Sequence, residues 1–148
     1  MNLTQLGQKV GIPDSPNEAI LESIKIENES IINSIVRFSV PEFTSLCPVT
    51  HQPDFAHFYI DFNPHKYLLE SKSLKLFMHS FRNHGAFHED VTATIGTRIV
   101  KTIDPTWLRV VGVWFPRGGI PIDVFWEYGQ CPKHIHIPSL KISTYIGR

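Results

Sequence analysis

From residue 31 onward the chain alternates between runs of β-branched residues and stretches of helical periodicity. The run IINSIVRFSV over 31–40 predicts a first strand. Over 57–62 the pattern alternates strictly. Phe58, Ile60 and Phe62 share one face and His57, Tyr59 and Asp61 the other, as a half-buried strand requires. Between these strands, 41–53 (PEFTSLCPVTHQP) holds three prolines and is predicted to be a loop. Two helices follow. Over 71–82, Leu74, Phe77, Met78 and Phe81 fall at i, i+3, i+4 and i+7 and form an apolar stripe. Over 89–103, Val91, Ile95, Ile99 and Ile103 recur every fourth residue, with Glu89 and Asp90 at the electropositive N-terminal end. Gly85 separates the helices, and Asp104-Pro105 stops the second. Residues 108–115 and 120–126 read as strands joined through Pro116-Arg117-Gly118-Gly119, a hairpin.

The order β-β-α-α-β-β implies an α+β domain, an antiparallel four-stranded sheet with both helices on one face. Such a sheet has two edges to pair or cover, which favours edge-to-edge association. Residues 1–30 are polar, with Pro13 and Pro16, and are expected to form an arm with no more than a turn of helix. No element is predicted for the tail over 130–148.

Composition narrows the class. With 148 residues the chain fits one domain, 1–148, large enough to bury a core without a disulfide or metal staple. Fourteen Lys and Arg balance fourteen Asp and Glu, so no global field draws the chain to nucleic acid or membrane. Cys47 and Cys131 are too few for a disulfide framework. Residues 1–10 lack the apolar core of a signal peptide, and the apolar run over 107–115 is broken by Arg109. A cytoplasmic protein is expected.

That setting makes Cys47, in the proline-rich segment, a chemical candidate. A free thiol is only about 3% ionised at neutral pH, so a nucleophilic cysteine wants a base or a helix N-terminus nearby. Asp54, in Gln52-Pro53-Asp54-Phe55, is such a partner across the loop. The plain alternative is a buried, inert cysteine. In Glu70-Ser71-Lys72-Ser73-Leu74-Lys75, two lysines share a helical face, and serines with free N–H groups suit a phosphate. The alternative there is an N-cap with solvated lysines. There is no GxGxxG, so a dinucleotide would bind outside a Rossmann unit. His84, His88, Glu89 and Asp90 cluster at the second helix start, as an acid/base histidine beside an anchoring carboxylate or as a capped helix end. Zinc held with Cys47, His51 or His57 is not expected, because CxxC and HExxH are both missing.

Taken together, FTSLCP with QPDF, ESKSLKLF, SFRNHGAFHED and FPRGG resemble the 7-cyano-7-deazaguanine reductases of queuosine biosynthesis, over roughly 41–123. The resemblance implies the tunnelling fold, whose subunits join sheets into rings with sites between subunits, here in the short form of two stacked pentamers. It implies that Cys47 attacks the nitrile to give a thioimide, that Asp54 is the general acid/base, and that His88 is a second proton-transfer group. Glu89 would accept from the deazaguanine ring, assisted by Glu70 and flanked by Ser71 and Phe87. Lys72, Lys75 and Arg117, with Gly118, would contact NADPH, which supplies hydride twice. Covalent capture turns a poor hydride acceptor into a polarised C=N and divides one hard step into easier ones. No metal and no direct nucleic-acid contact are implied. His51 stands where glycine is expected in some members, and the tail beyond Gly129 matches nothing in the pattern. Competing readings are a relative that adds ammonia or an amine to the same nitrile within tRNA, a zinc cyclohydrolase of the same fold, and a non-catalytic purine-binding ring. ESKSLK and Arg117 argue against the first.

Overall fold

A computed structural model of the chain describes residues 3–140 and 142. In chain order its elements are β1 (Ser23–Lys25), a 3-10 turn (Glu29–Asn33), β2 (Val36–Leu46), β3 (Pro53–Asn63) and β4 (Tyr67–Leu69). Helices α1 (Ser71–His79) and α2 (His88–Ile103) follow, then β5 (Trp107–Arg117) and β6 (Ile120–Gly129). The main sheet is antiparallel in the order β2-β3-β5-β6, and β1 pairs with β4 in a second, two-stranded sheet. The expected α+β architecture is therefore observed.

The core is the one that the periodicities indicate. Phe58, Ile60 and Phe62 of β3 are fully buried against Leu74, Phe77 and Met78 of α1, Phe81 beyond it, and Val91, Ile95, Ile99 and Ile103 of α2. Burial also explains why α2 exists. Its sequence HEDVTATIGTRIVKTI is rich in β-branched residues, which lower helix propensity. Each buried Val or Ile stabilises by about 1.5–3 kcal/mol, more than the few tenths that each propensity deficit costs.

Several boundaries differ from expectation. The first strand starts at Val36, because Glu29–Asn33 is a 3-10 turn capped by Asn28, whose Oδ1 accepts from Ser30 N at 3.1 Å. Helix α1 ends at His79, so Phe81 reaches the core from the following turn. The arm is more than a lead-in. Ser23↔Leu69 begins the β1–β4 pairing, and Glu22 accepts from Thr4 N at 2.6 Å. Part of the tail has a place as well. On the face away from the helices, buried Asp61 holds Arg37 and Arg109, with closest contacts of 2.5 and 2.6 Å. Arg37 also donates to the carbonyls of Pro138 (2.7 Å) and Ser139 (3.2 Å). Residues 141 and 143–148 lie outside the described residues.

The main correction concerns 41–53. The first part of it is strand, not loop, because β2 continues to Leu46 through a bulge. Val40 pairs with Phe58 and Phe43 with Ala56, so Pro41 and Glu42 together stand opposite His57 alone. Proline is tolerated there because β2 is an edge strand. A second bulge lies on the other side of β3. Trp114 pairs with Ile122 and Arg117 with Ile120, leaving Phe115 and Pro116 opposite Pro121. Each bulge reverses the in/out alternation beyond it, so Phe43 and Ser45 join the helix-side face. Gly118 and Gly119 then close the hairpin at φ +56° and +82°, conformations that a glycine pair adopts without strain. Among the described residues no helix is long and apolar enough to cross a membrane.

Candidate active site

The two bulges and the start of α2 meet at one end of the sheet. Leu46 N donates to His84 O at 3.0 Å, and Ala86 N donates to Leu46 O at 3.2 Å. This pairing ties the segment after α1 to the end of β2 and brings Phe87, His88 and Glu89 to the Cys47 turn.

Cys47 is buried, and its turn is closed by Cys47 N donating to Gln52 O (2.8 Å) and His51 N donating to Cys47 O (3.0 Å). His51 takes φ +56°, a left-handed conformation, which gives the physical reason for expecting glycine there. The Thr50 hydroxyl, then the N–H groups of Thr50 and Val49, hold the thiol below its ordinary pKa, with Arg117 adding positive charge. Burial opposes them. The activating partner expected in Asp54 is thus supplied largely by the turn itself. For Thr50→Val the sign follows directly. Losing a bond to the charged form raises the thiol pKa, so alkylation of Cys47 by iodoacetamide should slow severalfold at acidic pH and match wild type at alkaline pH. An unshifted rate–pH curve would discard Thr50.

Asp54 is buried one strand away, opposite Ser45 in the β2–β3 register. Arg117 grips it with both ends of its fork, Nε donating to Oδ1 at 2.6 Å and Nη2 to Oδ2. That bond raises the Arg117 pKa and keeps the guanidinium charged. Arg117, expected at a cofactor phosphate, lies against Asp54 with its side chain partly exposed. His88 Nε2 lies 3.4 Å from Asp54 Oδ1, and the imidazole stacks on Trp114 at 3.9 Å with 6° between planes. Burial lowers the His88 pKa, and the nearby Asp54 carboxylate opposes this. His88 Nε2, Ser45 Oγ and Trp114 Nε1 are buried without a hydrogen-bond partner among the described residues, which leaves polar capacity free for reacting atoms.

The remaining candidates divide. Phe87 and Glu89 are exposed at the rim. Glu70 is committed elsewhere, its two carboxylate oxygens accepting from Lys72 N (2.8 Å) and Ser73 N (2.6 Å). It is the N-cap of α1, so the N–H groups expected to be free for a phosphate are taken. Lys72 Nζ donates to the carbonyls of Gln5 (2.5 Å) and Gln8 and is tied to the arm. Ser71 and Lys75 line a cavity of about 240 Å³ between α1 and β2. An exposed ammonium beside a hydroxyl suits a phosphate, so these two are the residues that would hold an anionic cofactor here. Gly118 serves the hairpin turn. Among the described residues no group of three His, Cys, Asp or Glu could hold a metal ion.

Thr50, Ser45 and Trp114 escape sequence reasoning. A hydroxyl one turn beyond a cysteine carries a weak signal, and the other two matter only through a register that the bulges set.

The family model described as QueF-like protein matches residues 53–133. The chain is 57% identical over 146 residues to an NADPH-dependent 7-cyano-7-deazaguanine reductase from Sinorhizobium fredii, covering 99% of this chain and 94% of that protein. It is 59% identical over 147 residues to the protein of the same name from Chelativorans sp., covering 99% and 96%. Among solved structures it resembles the archaeosine synthase QueF-Like in the apo form, with a TM-score of 0.62 at 21% identity, over 67% of this chain and 97% of that one. This last likeness is one of fold.

Proposed function

Because the chain belongs to the NADPH-dependent 7-cyano-7-deazaguanine reductase family, it reduces the nitrile of 7-cyano-7-deazaguanine to a primary amine in queuosine biosynthesis, and we propose that it does so by covalent capture on Cys47. The observation that supports this reading most is the convergence of an activated thiol, Asp54 and His88 at one end of the sheet.

The Cys47 thiolate attacks the nitrile carbon, the displaced π pair moves to nitrogen, and Asp54 or His88 delivers the proton that makes a neutral thioimide. NADPH, held at Lys75 and Ser71, would supply one hydride to the thioimide carbon and, from a second molecule, another to the imine. The imine nitrogen takes a second proton from Asp54 or His88 to become the amine. Between the two, the carbon–sulfur bond breaks, the pair returns to sulfur, and Cys47 is regenerated as thiolate. His88, whose pKa burial lowers, accepts the thiol proton and returns it to the nitrogen, with the nearby Asp54 carboxylate offsetting the charge it gains. Glu89 rather than Glu70 accepts from the ring, since its carboxylate is exposed at the rim and uncommitted, with Phe87 beside it for stacking. Lys75 and Ser71 hold cofactor phosphate, with Lys72 able to join if the arm releases it.

The working form is a ring of the tunnelling fold, two stacked pentamers with sites between subunits. Supporting this are the edge strand β6, with exposed Phe125 and Tyr128, and a rim whose Phe87 lies open. A free thiol nucleophile needs reducing surroundings, so the cytoplasm is its compartment, and the free base is bound without nucleic acid.

Calorimetric titration of two variants tests the binding assignments. Glu89→Leu leaves ring donors unpaired at about 1–3 kcal/mol each, so the nitrile base should bind at least about tenfold more weakly while NADPH is unaffected. Lys75→Ala should do the reverse, losing about tenfold or more for NADPH while base capture persists. Normal base affinity with a lowered melting point would reduce Glu89 to a helix-end carboxylate.

A further inference from the structure

His88 Nε2 has no hydrogen-bond partner among the described residues, and its 3.4 Å approach to Asp54 lies beyond the range that fixes an imidazole. The ring is nevertheless 97% buried, so something other than Asp54 sets its plane. The face contact with Trp114, 3.9 Å between centroids and 6° between planes, is the extended constraint available. Trp114 is in turn fixed. It is fully buried, with Phe43 and Phe58 set edge-on against it at 5.7 and 5.6 Å. At Gly112 a side chain would crowd the indole, since a Cβ there would fall 2.7 Å from Trp114 Nε1 and 2.9 Å from Thr92 Oγ1. The Thr92 hydroxyl donates to His88 O at 2.9 Å and anchors the backbone beneath the ring.

We propose that Trp114 is a positioning residue for the reduction, holding the His88 imidazole in the plane that directs Nε2 at Asp54 and shielding the ring from water. The proposal rests on the reading of His88 as a proton-transfer group. Around His88 the charged groups are Asp54 on β3, Arg117 on β5 and Glu89 on α2 itself, and none is altered by a change at Trp114. A change in His88 titration therefore reports on the indole.

The test uses the full chain. Trp114→Met fills most of the space without an aromatic plane, and Trp114→Phe restores a plane. Side-chain nitrogen resonances of His88 give its titration midpoint and tautomer, and steady-state kinetics give kcat and KM for the nitrile base. In Trp114→Met the midpoint should rise toward the ordinary histidine value as water reaches the ring. A single tautomer should become a mixture, and kcat should fall about tenfold or more with KM little changed. Trp114→Phe should recover at least part of each. A folded Trp114→Met with wild-type midpoint, tautomer and kcat overturns the proposal. If that variant fails to fold, Gly112→Ala, which displaces the indole without removing it, decides on the same measurements, and unchanged values there overturn it too. Full turnover in His88→Gln would remove the proton-transfer reading itself, while the resonances in Trp114→Met still show whether the indole orients the ring.

Discussion

Cys47→Ala is expected to show no measurable reduction of the nitrile base and, in the absence of NADPH, no mass increase on mixing with it. Wild type should gain the mass of the whole base, because addition of a thiol to a nitrile releases nothing. The loss should be total rather than graded, since no other group can stand in for the attacking sulfur. Cys131, the other free thiol, lies exposed in the tail, and Asp54 and His88 are proton carriers. The fold should survive, because shortening a small side chain at the end of a strand removes few contacts. Intact mass spectrometry settles the matter: an alanine variant that gains the same mass would show that another residue is the nucleophile. Cys131→Ala, by contrast, should be indistinguishable from wild type.

The second large effect is expected at Asp54→Asn, where turnover should fall by about 10²–10⁴ while affinity for the nitrile base changes much less. Asparagine keeps the shape and still accepts from Arg117 through one oxygen, but it cannot carry a proton to the nascent nitrogen. The arginine it partly releases has a side chain 37% exposed, so water can solvate the guanidinium and the stability cost stays modest. Single-turnover measurement of adduct formation and hydride transfer separates the steps, and an unchanged turnover number would end the acid/base role.

The helices and the helix-side face of the sheet are legible in the sequence because they repeat. Leu74, Phe77, Met78 and Phe81 are spaced for a helix and all are buried, as are Phe58, Ile60 and Phe62, spaced for a strand. What does not repeat is not legible. Strands β1 and β4 have three residues each, too short for a period to show, and they form only by meeting each other. Pro41 is a turn signal in any local reading, yet an edge strand with a bulge absorbs it. Within the site, Cys47, Asp54, His88 and Glu89 stand out through residue type and resemblance, whereas Trp114 looks like ordinary core until a register lays it on His88. For Glu70 the resemblance suggests a ligand contact, and the sequence also offers a local role, since it is the residue before a helix and its carboxylate caps the helix that follows.

The paired bulges bear on which genetic changes this chain can tolerate. Ser45 stands opposite Asp54 because β2 carries one residue more than β3 in this stretch, and β5 likewise carries one more than β6 ahead of Arg117. A substitution at Pro41, Glu42, Phe115 or Pro116 keeps that tally and should be absorbed. A codon lost in either segment should be absorbed as well, because without the extra residue Phe43 still stands opposite Ala56 and Arg117 opposite Ile120 in a regular ladder. A codon gained must instead widen the bulge or slip the register and turn the side chains beyond it to the opposite face. Loss and gain of a codon are therefore unequal in these two short stretches, and a one-codon deletion and a one-codon insertion at Glu42, both assayed by adduct mass, would expose the difference.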